Sequence, residues 1–333
     1  MKKLSFSKTL LFLALGVLAV LLVSVFIGRY PEPYWMAPKL LYQDQLARQL
    51  VLNLRLPRLL TALLLGMVLA AAGSVLQMVF RNPLVEPGFL GVSQGAAFGA
   101  AVSILWLNRH PLVIELSATF FGLLALLLSY LLSTRIRYGG WVLRLILSGV
   151  AVSAMFSAGI GILKYIADPL TELPELTFWL LGGLYSVTWR DFLFVLPFAL
   201  AGIATVYAMR WRVNLLSLND DTAFSLGASL TRERTILLVM IISAAAALTA
   251  ISGVIGWVGL IIPHISRRLF GASAEKSIPA AMLLGGGFTV IADDLARTLL
   301  PGEIPLGILT SAIGAGLFIY LMISIGIKVR RDG

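Results

Sequence analysis

Long apolar runs separated by short polar stretches follow one another along the chain. A helix crosses a bilayer with about 20 mostly apolar residues. Ten runs fit or approach that length: 9–27, 59–80, 90–107, 112–132, 142–166, 192–209, 235–251, 254–265, 278–300 and 306–327. The eighth is too short to cross alone and carries Gly256, Gly259 and Pro263. Irregular backbone survives at membrane depth only where other protein covers it. The first run follows Lys2, Lys3 and Lys8, as a signal peptide would. It is as long as a full span, however, and ends at Gly28-Arg29-Tyr30-Pro31 without a small-x-small cleavage site, so it reads as a retained helix. The pattern predicts an all-α, polytopic membrane protein with ten transmembrane helices in a single domain, 1–333. Small residues recur at Gly95 and Gly99, at Gly285–Gly287 and in the alanine runs 70–72 and 244–247. They let helix backbones approach closely in lipid and predict a compact bundle.

Composition supports the same reading. Charged residues are 13% of the chain, hydrophobic residues 59%, and the mean hydropathy is +0.94. Soluble domains carry about 25% charge, so a soluble globular protein and a disordered chain are both excluded. With no cysteine, disulfides, thiolate catalysis and cysteine-based metal sites are excluded as well. The formal net charge is +10. In a membrane chain this reads first as loop lysines and arginines that set orientation, not as nucleic-acid binding. With the N-terminus cytoplasmic, the inside segments collect Lys2, Lys3 and Lys8, Arg81, Arg135, Arg137 and Arg144. They also collect Arg210, Arg212, Arg232 and Arg234, Arg267, Arg268 and Lys276, and Lys328, Arg330 and Arg331. These are most of the basic residues, and the bias places both termini in the cytoplasm.

Two polar stretches are longer than a connection requires: 29–58 outside and 211–234 inside. In the second, Asn219, Asp220 or Thr222 can cap a helix start and Gly227 suits a helix stop. Leu218, Ala223, Leu226 and Leu230 lie near helical spacing. A short helix–turn–helix on the cytoplasmic surface is expected, either as a docking surface, the favoured reading, or as a solvated connector.

No engine is visible in the chain. The nearest approach to a phosphate-binding loop, Gly271 to Ser277, has Glu275 before Lys276 where glycine is required, and it is one residue short. No catalytic and no metal-ligating residue is assigned. His264 reads as an interfacial histidine bonded to backbone, and His110, after Asn108 and Arg109, as a turn residue. Charges inside a bilayer suggest ion paths, but few are present here. Asp293 and Asp294 precede Arg297 by four and three residues, a spacing that fits ion pairing on one helix face. Lys164, Asp168, Glu172 and Glu175 fall at the outer end of the fifth span.

Several elements in a fixed order resemble one family. They are Arg55-Leu56-Pro57-Arg58-Leu59; Gly73-Ser74-Val75-Leu76-Gln77; Asn82-Pro83-Leu84-Val85-Glu86-Pro87-Gly88; and Leu90-Gly91-Val92-Ser93-Gln94-Gly95-Ala96. Trp179 to Gly183 with Trp189, Leu215 to Gly227, Gly256 to His264, Ala292-Asp293 with Ala296-Arg297, and Glu303 to Gly307 follow. Together they resemble the FecCD-type permeases of ABC importers for iron–siderophores, haem and cobalamin.

The resemblance implies ten helices per subunit and a path at the interface with a second copy or a paralogous permease. It implies two cytoplasmic ATPase subunits, which hold the ATP and Mg, so this chain has no cofactor of its own. It also implies a soluble or lipid-anchored binding protein and a prokaryotic cytoplasmic (inner) membrane. Carried over residue by residue, Arg55, Arg58 and Arg297 resemble arginines that pair with glutamates of the binding protein; all three are expected at the outer face. Leu218, Asn219, Asp220, Asp221, Leu226 and Gly227 resemble the ATPase-coupling helix. Asn82 and Leu84 resemble one cytoplasmic constriction. Val142 and Leu143 fall where the cobalamin permease has small hydroxyl residues at the other constriction, which leaves the polarity of the gate open. The cavity is expected mainly along the fifth span, with Ser153, Met155 and Ser157 on candidate faces, and along the second and eighth. An iron chelate (ferric siderophore or haem) is the expected cargo, with cobalamin or molybdate as alternatives. An ion-coupled secondary carrier and a membrane scaffold are the readings from other classes.

Overall fold

The computed structural model describes residues 6–107 and 109–331. Lys2, Lys3 and Asn108 lie outside the described residues, as do the side chains of Lys328, Arg330 and Arg331. The chain is helical almost throughout. Helix α1 (Phe6–Ser24) leads into two short antiparallel strands, β1 (Ile27–Gly28) and β2 (Tyr34–Trp35), and then into α2 (Leu40–Gln43) and α3 (Gln45–Leu50). A π-turn at Val51–Arg55 joins α3 to α4 (Leu56–Val79), and a 3-10 turn at Pro87–Leu90 precedes α5 (Val92–Val102). The rest are α6 (Pro111–Arg135), α7 (Trp141–Ile166), α8 (Glu172–Leu181), α9 (Trp189–Leu216), α10 (Asp220–Ser225), α11 (Leu230–Ser252), α12 (Val258–Phe270), α13 (Ala274–Thr298) and α14 (Leu306–Arg331).

Eight helices among the described residues are long and apolar enough to cross a membrane. The third and eighth expected spans are shorter: Val92–Leu107, and α12 with its thirteen residues. Helix α12 starts at Val258, four residues later than the apolar run suggests. The backbone at Gly253 (φ 66°) and Trp257 (φ 71°) cannot continue a right-handed helix. A Cβ at Gly253 would collide with the Trp179 carbonyl, so this irregular stretch lies tight against protein rather than lipid. Part of the 29–58 segment is helical rather than loop. Asp44 caps α3 by accepting from Leu46 N at 2.8 Å and Ala47 N at 3.3 Å, and Tyr30 Oη donates to Asp44 at 2.7 Å. Helices α9 and α11 extend into the 211–234 stretch from both sides and leave only α10 and its turns between them.

Helix α4 is the hub, buried along nearly its whole length. Helix α13 runs against it so closely that a Cβ on Gly66 would collide with the Gly285 carbonyl, and one on Gly285 with the Gly66 carbonyl. Gly73 meets the Gly259 carbonyl of α12 in the same way. With no solvent-driven force between helices in lipid, such close backbone packing and interhelical hydrogen bonds hold the bundle. Thr289 Oγ1 supplies one such bond, donating to Ala62 O at 2.6 Å between α13 and α4. Helix α1 lies outside this core with Leu11, Phe12, Leu15, Leu18 and Leu22 exposed, as a lipid-facing helix should be.

Candidate functional site

We call the end of the bundle carrying 29–58 the outer end, following the loop charges. There the arginines expected at a docking rim are turned inward. Arg58, in the first turn of α4, places Nε 3.0 Å from both oxygens of Asp293 and Nη2 2.9 Å from one of them. Its Nη1 lies 2.9 Å from Glu303. Arg297 pairs with Asp294 and donates to Ser24 O at 2.8 Å, and Ser24 Oγ donates to Asp294 at 2.5 Å. Arg55 donates to Val25 O at 2.9 Å and Tyr30 O at 3.2 Å. Arg55, Arg58 and Arg297 are 8%, 9% and 7% exposed. They are therefore not free rim charges: carboxylates and carbonyls of the same chain take up their forks, and planar guanidinium suits that arrangement. The i,i+3 and i,i+4 pairing of Arg297 with Asp294 and Asp293 is present, but Arg58 makes the closer contact with Asp293. Glu303 remains 45% exposed and is the network's face toward the outside.

A cavity of about 360 Å³ is walled by α4, α5, α7, α11, the start of α12 and the turns at 86–89 and 254–256. Leu69, Phe89, Ser93, Gln94, Val150, Ser153 and Thr249 line it, together with Glu86. Ser153 is where the fifth span was expected to contribute. Ser157, one turn along the same face, is exposed and is not among the walls, and Met155 points outward, 55% exposed. Glu86 sits in the Asn82–Gly88 motif but carries no role in the sequence reading. It accepts from Trp257 N at 3.3 Å, which ties the turn before α5 to the start of α12. The signal that could have flagged it is a lone carboxylate between Val85 and Pro87 in an otherwise apolar stretch.

Earlier in the same turn Asn82 folds back, its Oδ1 accepting from Leu84 N at 3.0 Å, and Leu84 is 48% exposed. His264 Nε2 bonds to Pro83 O at 2.9 Å, so the histidine buttresses this turn, as a backbone-bonded residue should. Val142 is half-buried against the core and Leu143 is 47% exposed. Phe80 and Trp141 meet edge to face at 5.6 Å and bring the 80–84 and 141–143 segments side by side.

Beside them lies α10. Leu218, Phe224 and Leu226 are exposed, 38%, 74% and 56%. Ala223 is buried, and Gly227 takes φ 81° to stop the helix, as expected. Phe224 is the largest apolar residue of this face and was not singled out from the sequence. Asn219 precedes α10 but does not cap it; its Oδ1 accepts from Arg81 at 2.6 Å instead. Asp221 is exposed. Asp220 accepts from Arg234 at 2.7 and 3.2 Å. These hydrogen bonds hold the Asp220 carboxyl below the usual aspartate range. Because the folded-state value is the lowered one, the contribution of this tether is present above the ordinary aspartate pKa. It is lost only as pH falls through the lowered value.

No group of three or more metal-ligating side chains occurs among the described residues. What the arrangement offers is mechanical: a cavity, and an exposed apolar helix tip hydrogen-bonded to the turn that follows α4.

A model of the FecCD transport family matches residues 16–324. The molybdate import system permease protein of Haemophilus influenzae is 39% identical, over 99% of this chain and 98% of its own length. The hemin transport system permease protein of Yersinia pestis is 36% identical over 82% of each chain. A solved structure described as an inward-facing conformation of a metal-chelate type ABC transporter superposes with a TM-score of 0.88. It is 39% identical, with 96% of this chain and 99% of that one covered. By sequence over nearly its whole length, and by fold, the chain belongs to the FecCD transport family.

Proposed function

We propose that this chain is the membrane permease subunit of an ATP-driven, binding-protein-dependent importer. It crosses a prokaryotic cytoplasmic (inner) membrane ten times with both termini inside, and works as a pair with its path between the two copies. The observation that carries this reading is the exposed apolar tip of α10, hydrogen-bonded through Asn219 to Arg81 in the turn that leads to the cavity-lining Glu86. A second copy set against α7 closes the side on which Val150 and Ser153 face the cavity. Two ATPase subunits, holding ATP and Mg, seat Leu218, Phe224 and Leu226. ATP binding draws the ATPases together, α10 moves with them, and the segments at Asn82–Leu84 and Val142–Leu143 open or close the cavity below. No covalent chemistry takes place in the chain.

Arg55, Arg58 and Arg297 serve docking of the binding protein by holding the outer surface in shape, with Glu303 exposed at its rim. The carboxylates that an ion-coupled carrier would use, Asp293 and Asp294, are engaged in that network, which weighs against secondary transport. The cargo we propose is an iron chelate, the class named for relatives such as the Fe(3+)-citrate import permease of Bacillus subtilis, 35% identical over 93% of this chain. Molybdate is the second reading, favoured by the Haemophilus influenzae relative.

The assembly is tested by purifying the chain with the ATPase and binding protein of its own system. A stable complex whose ATP hydrolysis rises when binding protein is added is expected. A chain that never associates with the ATPase contradicts the reading.

A further inference from the structure

Helix α10 has two faces with different partners. Leu218, Phe224 and Leu226 are exposed, whereas Asn219 and Asp220 at its start reach back to the bundle. Two connections leave that point. The first runs through Arg81, which donates to Asn219 Oδ1 at 2.6 Å and stands 3.9 Å from Asp220. Arg81 directly precedes Asn82 and holds φ at 51°, a left-handed value that a side chain with a Cβ adopts only when its surroundings impose it. The second runs through Arg234, whose side chain is only 4% exposed. Its two terminal nitrogens, Nη1 and Nη2, donate to Asp220, and its guanidinium lies 5.0 Å from the centre of the Trp141 ring. Trp141 begins α7, directly before Val142 and Leu143, and its ring meets Phe80 at the end of α4.

We propose that Arg81 and Arg234 are positioning residues that tie the two constriction segments to one point on α10. A displacement of that helix then moves Asn82–Leu84 and Val142–Leu143 together. The inference rests on the reading of α10 as the ATPase-seating element and adds the route by which its motion reaches the path. A nearly buried guanidinium with one carboxylate partner keeps that partner, because losing it leaves a charge uncompensated. The Arg234–Asp220 pair therefore travels as a unit when α10 moves. Arg81 has no slack either, since its side chain is held by Asn219 while its own backbone forms the first residue of the constriction turn.

The test measures ATP hydrolysis and cargo uptake in the same proteoliposomes, made with the chain, its ATPase and its binding protein. Arg81 is 42% exposed, so Arg81→Met removes the connection without opening the core. In Arg81→Met the ATPase stays bound and hydrolysis continues, while cargo moved per ATP falls at least ~5-fold. Arg81→Lys, which can still donate to Asn219, recovers part of the ratio. Trp141→Leu lowers the ratio through the second connection. A ratio unchanged in both Arg81→Met and Trp141→Leu overturns the proposal. Loss of the ATPase from Arg81→Met also overturns it, because Arg81 would then be a docking contact. Wild-type vesicles that hydrolyse ATP without any uptake would instead sink the importer reading, and this inference with it.

Discussion

Arg58→Ala is expected to destabilise the protein by about 3–5 kcal/mol, the usual result of removing one partner from a buried ion pair. The substitution strips Asp293, which is fully buried, of all three close contacts from Arg58. The remaining cation near Asp293 is Arg297 at 3.9 Å, and Arg297 is already shared with Asp294 and the Ser24 carbonyl. Glu303 is released at the same time, and with it the turn between α13 and α14. Because the pair joins α4 to α13, the loss falls on the most extensive helix contact in the bundle. Asp293→Ala should do similar damage from the other side, whereas Arg58→Met combined with Asp293→Leu recovers part of the loss, since no charge is then left buried. Thermal unfolding in detergent, followed by size-exclusion chromatography, reads all three variants. An Arg58→Ala protein as stable as wild type but blind to the binding protein would contradict the structural role and restore a direct docking contact.

Gly227→Pro is expected to abolish uptake and binding-protein-stimulated ATP hydrolysis while leaving the bundle intact. Proline is confined near φ −65°, and Gly227 stands at 81°. Its N–H also donates to Phe224 O at 2.9 Å, and the following residue, Ala228, donates to Ala223 O at 3.0 Å to close α10. Proline removes the first bond and misdirects the second, so the apolar tip at Phe224 and Leu226 loses its placement. The position is exposed with no atom near enough to obstruct a side chain, which is why the membrane core should not feel the change. Gly227→Ala keeps the N–H and meets only the left-handed strain, roughly 1–2 kcal/mol, so it should retain partial activity. Rates of ATP hydrolysis with and without binding protein separate the cases. Full stimulation in Gly227→Pro would remove α10 from the coupling route.

Much of this architecture was legible along the chain because bilayer thickness imposes one length on every crossing. The apolar runs locate the eight long helices, and the polar interruption at 211–234 locates α10 and its Gly227 stop. Where covering protein replaces lipid, the length rule fails. The start of α12 is moved to Val258 by positive φ at Gly253 and Trp257, which composition does not reveal. Helix α9 outlasts its apolar run by seven residues, to Leu216, because nothing in 210–216 breaks a helix.

The site was legible in its parts and not in its pairings. Arg58 and Arg297 look like rim charges until the fold brings Asp293 and Glu303, 235 and 245 residues along the chain, within reach of Arg58. Glu86 was visible within its motif, but its hold on Trp257 was not. Asn219 looked like a helix cap, and its partner is Arg81, 138 residues earlier.

The most direct test of the central claim is ATP-dependent uptake in proteoliposomes. They would hold this chain with its own ATPase and binding protein, and be challenged with haem, ferric siderophores, cobalamin and molybdate. Uptake of one cargo that requires all three components and ATP is the predicted result, and an iron chelate is the expected one. Uptake by this chain alone, driven by an ion gradient, would contradict the account.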